Sequence, residues 1–461
     1  MPYRDFREFL DVLRNHGELV DIDRPVALND VGKALKQSYA RQGPALQFNH
    51  NGTDFPLVGG VYSTRSKALL AFEATEETIF DKVVAGLGKR IPPNVIEGQA
   101  PCQEQVITGD QIDIRRFPIP VYSPMDGGAY ITPGIVVSRD PETGVPDIGH
   151  YRFMVLDGKL MSFVAEYNHR FGKNLAKHKR LGKRAEGALV IGVDPVLAYT
   201  GQAQVSDDTD DWQVAGGLRG APVELVKCRT VDLEVPATAE VVIEFEVDQD
   251  NLYPEGPLGE HTGYYDATGK DQPAAQITAI THRRKPIFQA LLTGKPVTEN
   301  HILKQIPFEA SFYNAMKRQF PTVERVALRA SSSVSYYVVI AMRPRFAGEA
   351  RQAIFAAMAS ALKPKWVIVV DPDVDITDPG EVEWAMSFRV QPTKDVVIVD
   401  GMPRGGCDPS VPVPDGVPPS HLSGSSVGID ATYPVGQAWP DVADVPGWES
   451  FSLPELESLK R

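Results

Sequence analysis

The chain has 461 residues, of which 43% are hydrophobic and 23% charged, and these are ordinary proportions for a folded globular protein. One hydrophobic core rarely organises so many residues, so the length predicts two or three domains. A formal net charge of −13 and an isoelectric point near 5.3 leave no basic surface for a polyanion, so we do not expect nucleic acid as a partner.

Cysteine usage and hydropathy predict a cytoplasmic protein. The three cysteines, Cys102, Cys228 and Cys407, form neither a CxxC metal knuckle nor a disulfide framework, which suits a reducing compartment. The N-terminus is charged and amphipathic and lacks the apolar segment of a signal peptide. No run of 18 apolar residues occurs, so we expect no membrane span.

Residues 1–105 are predicted to form an N-terminal α/β domain. A first helix is indicated by apolar residues at helical spacing, with Gly17 where a C-terminal cap would lie. An apolar strand is expected over residues 56–62 and a helix over residues 75–88. The apolar positions of the first helix are Phe6, Phe9, Leu10 and Leu13.

Residues 106–300 are predicted to form a central β-barrel domain, because short β-rich runs alternate there with Gly, Pro and Asp clusters. A basic stretch at residues 170–184, with seven Lys or Arg, interrupts them. It suits either a solvated helix face or a position near a phosphate, and the sequence leaves both open. The predicted strands cover residues 134–138, 151–156, 188–193, 239–247, 275–281 and 286–292.

Residues 301–461 are predicted to form a C-terminal α/β domain with an extended arm. A helix at residues 306–318 precedes a strand, a helix and a strand, an order typical of a βαβ unit. Residues 402–447 are rich in Pro, Gly and Ser and predict an irregular loop or an arm on a partner subunit. The βαβ order runs over residues 334–342, 348–362 and 366–370.

The segment PEGPLGEHTGYY, from Pro254, carries the first candidate catalytic pair, Glu255 and Glu260. Its prolines and glycines force an irregular backbone, so we expect both acids on a rigid loop. Two carboxylates held close together can act as a proton donor near neutral pH. The simpler alternative is a tight turn with exposed glutamates.

Other candidates are weaker when taken singly. Arg152, in DIGHYR, is predicted to follow a loop at the start of a strand, where its planar fork could bind a carboxylate or phosphate. Asn168-His169-Arg170 and the acids of residues 208–212 could hold Mn²⁺ or Mg²⁺. Lys365 begins an apolar strand. Each of these residues also suits an ordinary structural role.

Several segments in one order resemble the UbiD family of reversible decarboxylases, and the resemblance runs through nearly the whole chain. It favours the branch of polyprenyl-hydroxybenzoate and hydroxyarylic acid decarboxylases over the cinnamate branch. The segments are DIRRFPIP from Asp113, DGGAYITPGIVVSRDPETG from Asp126, DIGHYR from Asp147, AGGLRGAPVELVKCRTVDLEVPATAE from Ala215, PEGPLGEHTGYY from Pro254 and GIDAT from Gly428.

The resemblance implies a fold, cofactors and site residues. It implies a central split β-barrel of the flavin-reductase type, a C-terminal oligomerisation domain and prenylated FMN with Mn²⁺, or Mg²⁺, and K⁺. The implied catalytic residues are Arg152, Glu255 and Glu260, with Glu260 protonating the product. The metal ligands are Asp147, His169 and Asp211, with Asp in place of the family's usual Asn and Glu. The implied cofactor contacts are His150, Tyr151, Arg152, Asn168, His169 and Lys365, and the implied substrate-pocket residues are His261 and His301.

The implied activity is non-oxidative, reversible decarboxylation of an aromatic or heteroaromatic acid. A hydroxybenzoate is the first expected substrate, and an indole, pyrrole or furan carboxylate the second. A flavin prenyltransferase would supply the cofactor, and a homodimer or hexamer is expected. A non-catalytic flavin-binding or assembly protein and a plain FMN oxidoreductase are the competing functions, and the paired acids beside Arg152 argue against the first.

Overall fold

A computed structural model describes residues 3–166, 169–265, 270–404, 407–411, 421–443, 445–447 and 450–452. The N-terminal elements pack helices on short strands, and the predicted apolar face of the first helix is buried, as expected. These elements are α1 (Phe6–Asn15), β1 (Leu19–Ile22), α2 (Leu28–Tyr39), β2 (Ala45–Phe48), β3 (Leu57–Gly59), α3 (Arg65–Ala71) and α4 (Ile79–Gly88).

The central part of the chain is dominated by antiparallel strands. Its helices are α5 (Arg170–Arg180), α6 (Pro195–Thr200) and α7 (Asp211–Arg219). Its strands are β4 (Asn94–Val95), β5 (Gln105–Thr108), β6 (Tyr130–Ile131), β7 (Ile135–Arg139), β8 (Pro146–His150), β9 (Phe153–Val155), β10 (Leu160–Phe163), β11 (Ala185–Ile191), β12 (Glu224–Lys227), β13 (Glu234–Pro236), β14 (Val241–Glu255), β15 (Lys270–His282) and β16 (Phe288–Ala290).

Nine of these strands form one antiparallel sheet that curls into a half-barrel. The strand order is β6-β9-β10-β15-β14-β11-β7-β8, and β5 also pairs with β15. Only Tyr151 and Arg152 separate β8 from β9, yet these strands lie near opposite ends of that order. The sheet therefore has to curl until its two edges approach each other. Arg152 lies at this junction.

Aromatic side chains fill the concave side of the half-barrel. Phe153 stacks on Phe163 with ring centres 5.0 Å apart, and Phe171 of α5 lies 5.5 Å from Phe163. Because Phe171 is anchored in this core, the first residue of α5, Arg170, has a fixed position. The basic stretch forms a helix over Arg170–Arg180, and beyond its first turn Lys177 pairs with the buried Asp140 and Arg180 with the exposed Glu142.

Two smaller sheets complete the first two thirds of the chain. The strand order β1-β2-β3-β16 shows that the chain returns to the N-terminal sheet after the half-barrel, and β13-β12-β4 forms a separate three-stranded sheet. The single-turn 3₁₀ helices are Pro101–Gln103, Gly109–Gln111, Ile114–Arg116 and, later in the chain, Ala330–Ser332.

The C-terminal part is a five-stranded mixed sheet with helices on its faces. Its strand order is β17-β18-β19-β21-β20, in which β19 pairs in parallel with both β18 and β21. The elements are α8 (Glu299–Gln319), β17 (Val323–Leu328), β18 (Tyr337–Met342), α9 (Glu349–Met358), β19 (Trp366–Val370), α10 (Pro379–Arg389), α11 (Pro392–Asp395), β20 (Val396–Pro403) and β21 (Ser423–Ala431).

The prediction of an irregular arm at residues 402–447 is wrong for β21, which lies inside the C-terminal sheet. Its small residues are required by packing: a Cβ on Gly428 would lie 2.2 Å from Ile354 Cγ2 of α9. Gly and Ser, which usually signal loops, here allow a helix to lie close to a strand. Residues 412–420, also in this segment, lie outside the described residues.

A second correction concerns residues 147–156. The predicted loop at Asp147–His150 belongs to β8, and the predicted strand at residues 151–156 begins only at Phe153. Arg152 therefore links two strands.

The start of α8 is fixed against the N-terminal sheet by Glu299. Its buried carboxylate accepts hydrogen bonds from the backbone N–H of Gly60 and of Tyr62, both at 2.8 Å, and from the Tyr39 hydroxyl at 2.9 Å. Burial raises the pKa of Glu299. This contact positions the first turns of α8, which carry His301 and Lys304.

No helix in the described ranges is both long and apolar enough to cross a membrane.

Candidate active site

Arg152, Glu255 and Glu260 meet at the end of the half-barrel. Arg152 Nε donates to Glu255 Oε1 at 3.2 Å, and its Nη1 forms an ion pair with Glu260. The side chains are 19%, 3% and 8% exposed, respectively, so the cluster is largely removed from water. The alternative of exposed glutamates in a tight turn is excluded. Glu255 is the last residue of β14, so the prediction that both acids lie on a loop is wrong for Glu255.

The loop that carries Glu260 is held by the DGG segment of the sequence. Asp126 Oδ1 accepts a hydrogen bond from Gly259 N at 3.1 Å, and Gly127 N donates to Pro257 O at 2.7 Å. A Cβ on Gly127 would lie only 2.1 Å from Gly256 O. A glycine is therefore needed at position 127 to let the loop approach, and so to place Glu260 beside Arg152.

Tyr130 is a member of the cluster that the sequence analysis missed. Its hydroxyl donates to Glu255 Oε1 at 3.2 Å, and the residue is fully buried. Burial and the charge of Glu255 raise the pKa of Tyr130. Burial opposes ionisation of Arg152 as well, but the charge of Glu255 and its hydrogen bonds outweigh burial and raise the pKa of Arg152. Glu255 is thus held on both sides.

His301 is committed to the protein. Thr298 N donates to His301 Nδ1 at 3.0 Å, so the ring proton lies on Nε2, which donates to His261 O at 2.7 Å. Both ring nitrogens are occupied, and the ring positions His261. His301 is not among the residues that line the cavity described next, and its place beside a substrate stays a prediction. His261 contacts Ser333 through Nδ1 and faces the cavity described next.

A cavity of about 580 Å³ lies beside the cluster. Its walls include Tyr151, His169, Phe308 and Tyr336. A volume of this size suits a cofactor-sized organic ligand. The cavity reaches the cluster through His261 and Cys407, since ligand atoms of Glu260, His261 and Cys407 all lie within 4.8 Å of one another.

Predicted cofactor contacts divide into those that line this cavity and those that do not. His150, Tyr151 and His169 line it. His150 Nε2 donates to Ala198 O at 2.9 Å, and burial lowers the pKa of His150. Lys365 is held by Asp408 at 3.1 Å and does not line the cavity.

Asn168 lies outside the described residues. Two cavity lysines escaped the sequence analysis, Lys304 and Lys363. The signal for Lys304 was its position three residues after His301, on the same side of a helix.

Three family models together match almost the whole chain. Models for the 3-octaprenyl-4-hydroxybenzoate carboxy-lyase (UbiD) match the chain with their N-terminal domain at residues 10–87, their Rift-related domain at residues 94–296 and their C-terminal domain at residues 301–431. The chain belongs to the UbiD family.

Three solved UbiD-class structures share the fold over almost the full chain. HmfF from Pelotomaculum thermopropionicum, in complex with FMN, is 31% identical with a TM-score of 0.87, covering 98% of this chain and 100% of its own. An evolved dimeric form of HmfF in complex with prFMN is 31% identical with a TM-score of 0.86, covering 98% of this chain and 100% of its own. Vanillic acid decarboxylase from Sedimentibacter hydroxybenzoicus, in closed form, is 29% identical with a TM-score of 0.89, covering 100% of both chains. The half-barrel and its flanking units are thus those of UbiD-class enzymes.

In this UbiD-family chain, Asp147 and Asp211 approach each other around Arg170. Arg170 Nη1 donates to Asp211 Oδ1 at 2.8 Å, its Nε lies 3.4 Å from Asp147 Oδ1, and its Nη2 donates to Thr209 O at 2.9 Å. Asp211 Oδ2 accepts from Ile148 N at 2.9 Å. Burial raises the pKa of both acids, that of Asp211 to about 7. The sequence analysis named Arg170 beside His169 but did not predict that its guanidinium lies between the two acids.

The predicted metal ligands Asp147, His169 and Asp211 all line the cavity, but their ligand atoms are not gathered within 4.8 Å of one another. Across the described ranges, the group of three ligand-capable side chains that meets this distance is Glu260, His261 and Cys407. The His169 ring packs edge-on to Tyr151 with ring centres 6.4 Å apart. The metal set therefore stays a prediction, and its carboxylate oxygens are the ligands that a hard cation prefers.

The contact of Gly127 with the Glu260 loop gives a first prediction. Gly127→Ala should lower the free energy of unfolding by about 1–3 kcal/mol, because the new methyl group overlaps backbone that cannot shift freely. Gly128→Ala is the matched control, since its Cβ would meet the flexible Met154 side chain at 3.3 Å. Urea denaturation measures both. Equal stability of the two variants would contradict the role assigned to Gly127.

The buried His301 gives a second prediction. Burial lowers the pKa of His301 to about 4, against about 6.5 in an unfolded chain. Its contribution to stability is therefore present above pH 6.5 and is lost as the pH falls, by about 2 kcal/mol between pH 7 and pH 5. The glutamine of His301→Gln cannot titrate. Between pH 7 and pH 5 the free energy of unfolding of this variant should therefore fall by about 2 kcal/mol less than that of the unmodified protein.

Urea denaturation at pH 7, 6 and 5 tests this prediction. His50→Gln, at an exposed histidine, is the control and should keep the pH dependence of the unmodified protein. An unchanged pH dependence in His301→Gln would show that the ring is not the buried neutral group described above.

Proposed function

We propose that the chain catalyses the reversible, non-oxidative decarboxylation of an aromatic or heteroaromatic acid with prenylated FMN. The carrying observation is the buried cluster of Arg152, Glu255 and Glu260 beside a cavity of about 580 Å³. The UbiD-class relatives support the proposal: HmfF has been solved with FMN and, in an evolved form, with prFMN.

The cavity suits a phosphorylated flavin. Tyr151, Phe308 and Tyr336 supply aromatic walls for a planar ring system, and Lys173 and Lys363 supply positive charge for a phosphate. We infer that this half-barrel binds the cofactor as a split barrel of the flavin-reductase type does. When bound, prenylated FMN would supply the electron sink that decarboxylation at an sp² carbon requires.

The geometry of the cluster supports a role for each member. The Arg152 guanidinium would offer a planar fork to the carboxylate that is lost. Glu255 binds Arg152 Nε and is itself held by the Tyr130 hydroxyl. Glu260 lies on the loop nearest the cavity and is placed to deliver a proton to the carbon from which CO₂ departs. Arg152 orients the substrate, and Glu260 is the acid.

Glu260→Gln should keep the cofactor and lose turnover. The amide preserves the shape of the side chain but cannot donate a carboxylic proton, so CO₂ release should fall at least about 100-fold. The variant, expressed with a flavin prenyltransferase, is compared with Glu224→Gln, an exposed control in β12. CO₂ release from a panel of aromatic acids and the ultraviolet-visible spectrum of the bound flavin are measured. Full turnover by Glu260→Gln would refute the role of Glu260.

We propose that Asp147 and Asp211 hold Mn²⁺ or Mg²⁺ beside the cofactor phosphate, whose charge the metal would neutralise. In the structure Arg170 lies between the two carboxylates and partly compensates their charge. A divalent cation would add two further positive charges there. The family likeness also suggests K⁺ as the accompanying monovalent ion.

Mn²⁺ should therefore stabilise the protein, by about 2.7 kcal/mol at 100 times its Kd. Asp211→Asn should abolish this stabilisation, because the amide binds a hard cation less well. Asp207→Asn, at an exposed acid near the cavity mouth, is the control and should keep it. Differential scanning fluorimetry with and without MnCl₂ measures the effect. An equal response from Asp211→Asn would exclude Asp211 as a ligand.

We further propose a cytoplasmic homodimer or hexamer that assembles through the C-terminal sheet. Phe388 of α10 and Ile398 of β20 are 70% and 71% exposed, which is costly for large apolar side chains in water. A hydroxybenzoate remains the first expected substrate, and vanillic acid, the substrate named for one relative, is of that chemical type.

A further inference from the structure

Lys304 is a cation inside the cavity that the decarboxylation proposed above does not use. It lies on α8, one turn after His301, and its ammonium is 4.8 Å from the centre of the Phe308 ring. Burial lowers the pKa of Lys304 to about 8, so the side chain is still mostly protonated at neutral pH. The cavity therefore carries a positive charge against an apolar wall.

Lys304 differs from Lys173, the cavity lysine that pairs with an acid. Lys173 Nζ lies 2.5 Å from Asp207 Oδ2. In the part of the chain that the structure describes, no carboxylate oxygen lies within 4.0 Å of Lys304 Nζ. A buried charge without a partner of opposite sign costs free energy, and an anionic ligand would remove that cost.

Lys304 reaches the end of the cavity where the proton is delivered. Its charge contributes to the lowered pKa of His261, which directly follows Glu260. The charges of Lys304 and Lys363 both contribute to the lowered pKa of His169, but of these two lysines only Lys304 contributes to the lowered pKa of His261. Lys304 is therefore the one of the two that lies within range of the Glu260 end of the cavity, where the substrate would bind.

We propose that Lys304 binds a second acidic group of the substrate, a carboxylate or a phenolate, while Arg152 binds the carboxylate that is lost. This inference rests on the proposed function and deepens it, because it names the substrate class as aromatic acids with two acidic groups. A substrate with one acidic group would leave Lys304 buried without a partner in the complex. The pocket therefore discriminates between the two classes by charge pairing as well as by shape.

Binding of matched acids to holoenzyme tests the proposal. The pairs are benzoate with 4-hydroxybenzoate and pyrrole-2-carboxylate with pyrrole-2,5-dicarboxylate, whose members differ only in the second acidic group. Isothermal titration calorimetry should show that, in at least one pair, the acid with two acidic groups binds at least tenfold more tightly than the acid with one. Lys304→Met should lose that preference with an unchanged flavin content, and Lys304→Arg should keep it. Lys363→Gln is the crossed control and should lower flavin content while the preference remains.

Three results would overturn the proposal. They are the absence of any preference in the unmodified protein, a preference that survives in Lys304→Met, and loss of flavin in Lys304→Met, which would assign this lysine to the cofactor phosphate. Lys304→Met should fold at least as stably as the unmodified protein, because it removes an unpaired buried charge. A diacid preference without CO₂ release from any acid would contradict the proposed function and leave the subsite standing.

Discussion

The buried ion pairs of Arg152 with Glu255 and Glu260 are the interaction on which the rest of the site depends. A guanidinium and two carboxylates taken out of water are stable only while all three remain in contact, because the loss of one partner leaves an uncompensated charge. Three separate pieces of backbone are needed to hold them: the β8-β9 junction, the end of β14 and the loop that Asp126 and Gly127 anchor. The half-barrel curls so that these pieces can meet.

Charge pairing also organises the cavity beside the cluster. Arg170 lies between two buried aspartates at one wall, and Lys173, at the same cavity, pairs with Asp207. The helix α8 enters from the C-terminal part, and Glu299 fixes its first turn against the N-terminal sheet. The central half-barrel and α8 therefore form the cavity together. Lys304 of α8 brings a positive charge into it, beside the Phe308 ring.

Much of the fold could be predicted from local pattern. The face of α1 and the bounds of β19, residues 366–370, follow from periodicity alone, because a helix or a buried strand repeats its apolar residues at a fixed interval. Prediction from local pattern failed where packing between elements, and not local backbone preference, decides which residue occupies a position. Gly428 belongs to a buried strand because α9 crosses it closely, and Tyr151 and Arg152 end a strand because the sheet closes there.

The sequence by itself determined the family, through six segments in one order, and predicted Arg152, Glu255 and Glu260 as its site residues. Only the tertiary structure decided which groups stand next to them. Tyr130 on Glu255, Arg170 between Asp147 and Asp211, and His301 on the carbonyl of His261 are all contacts between different elements. Residue spacing records the periodicity of one element, whereas a contact across 103 or 108 residues exists only once the sheet has curled and the loop has closed on it.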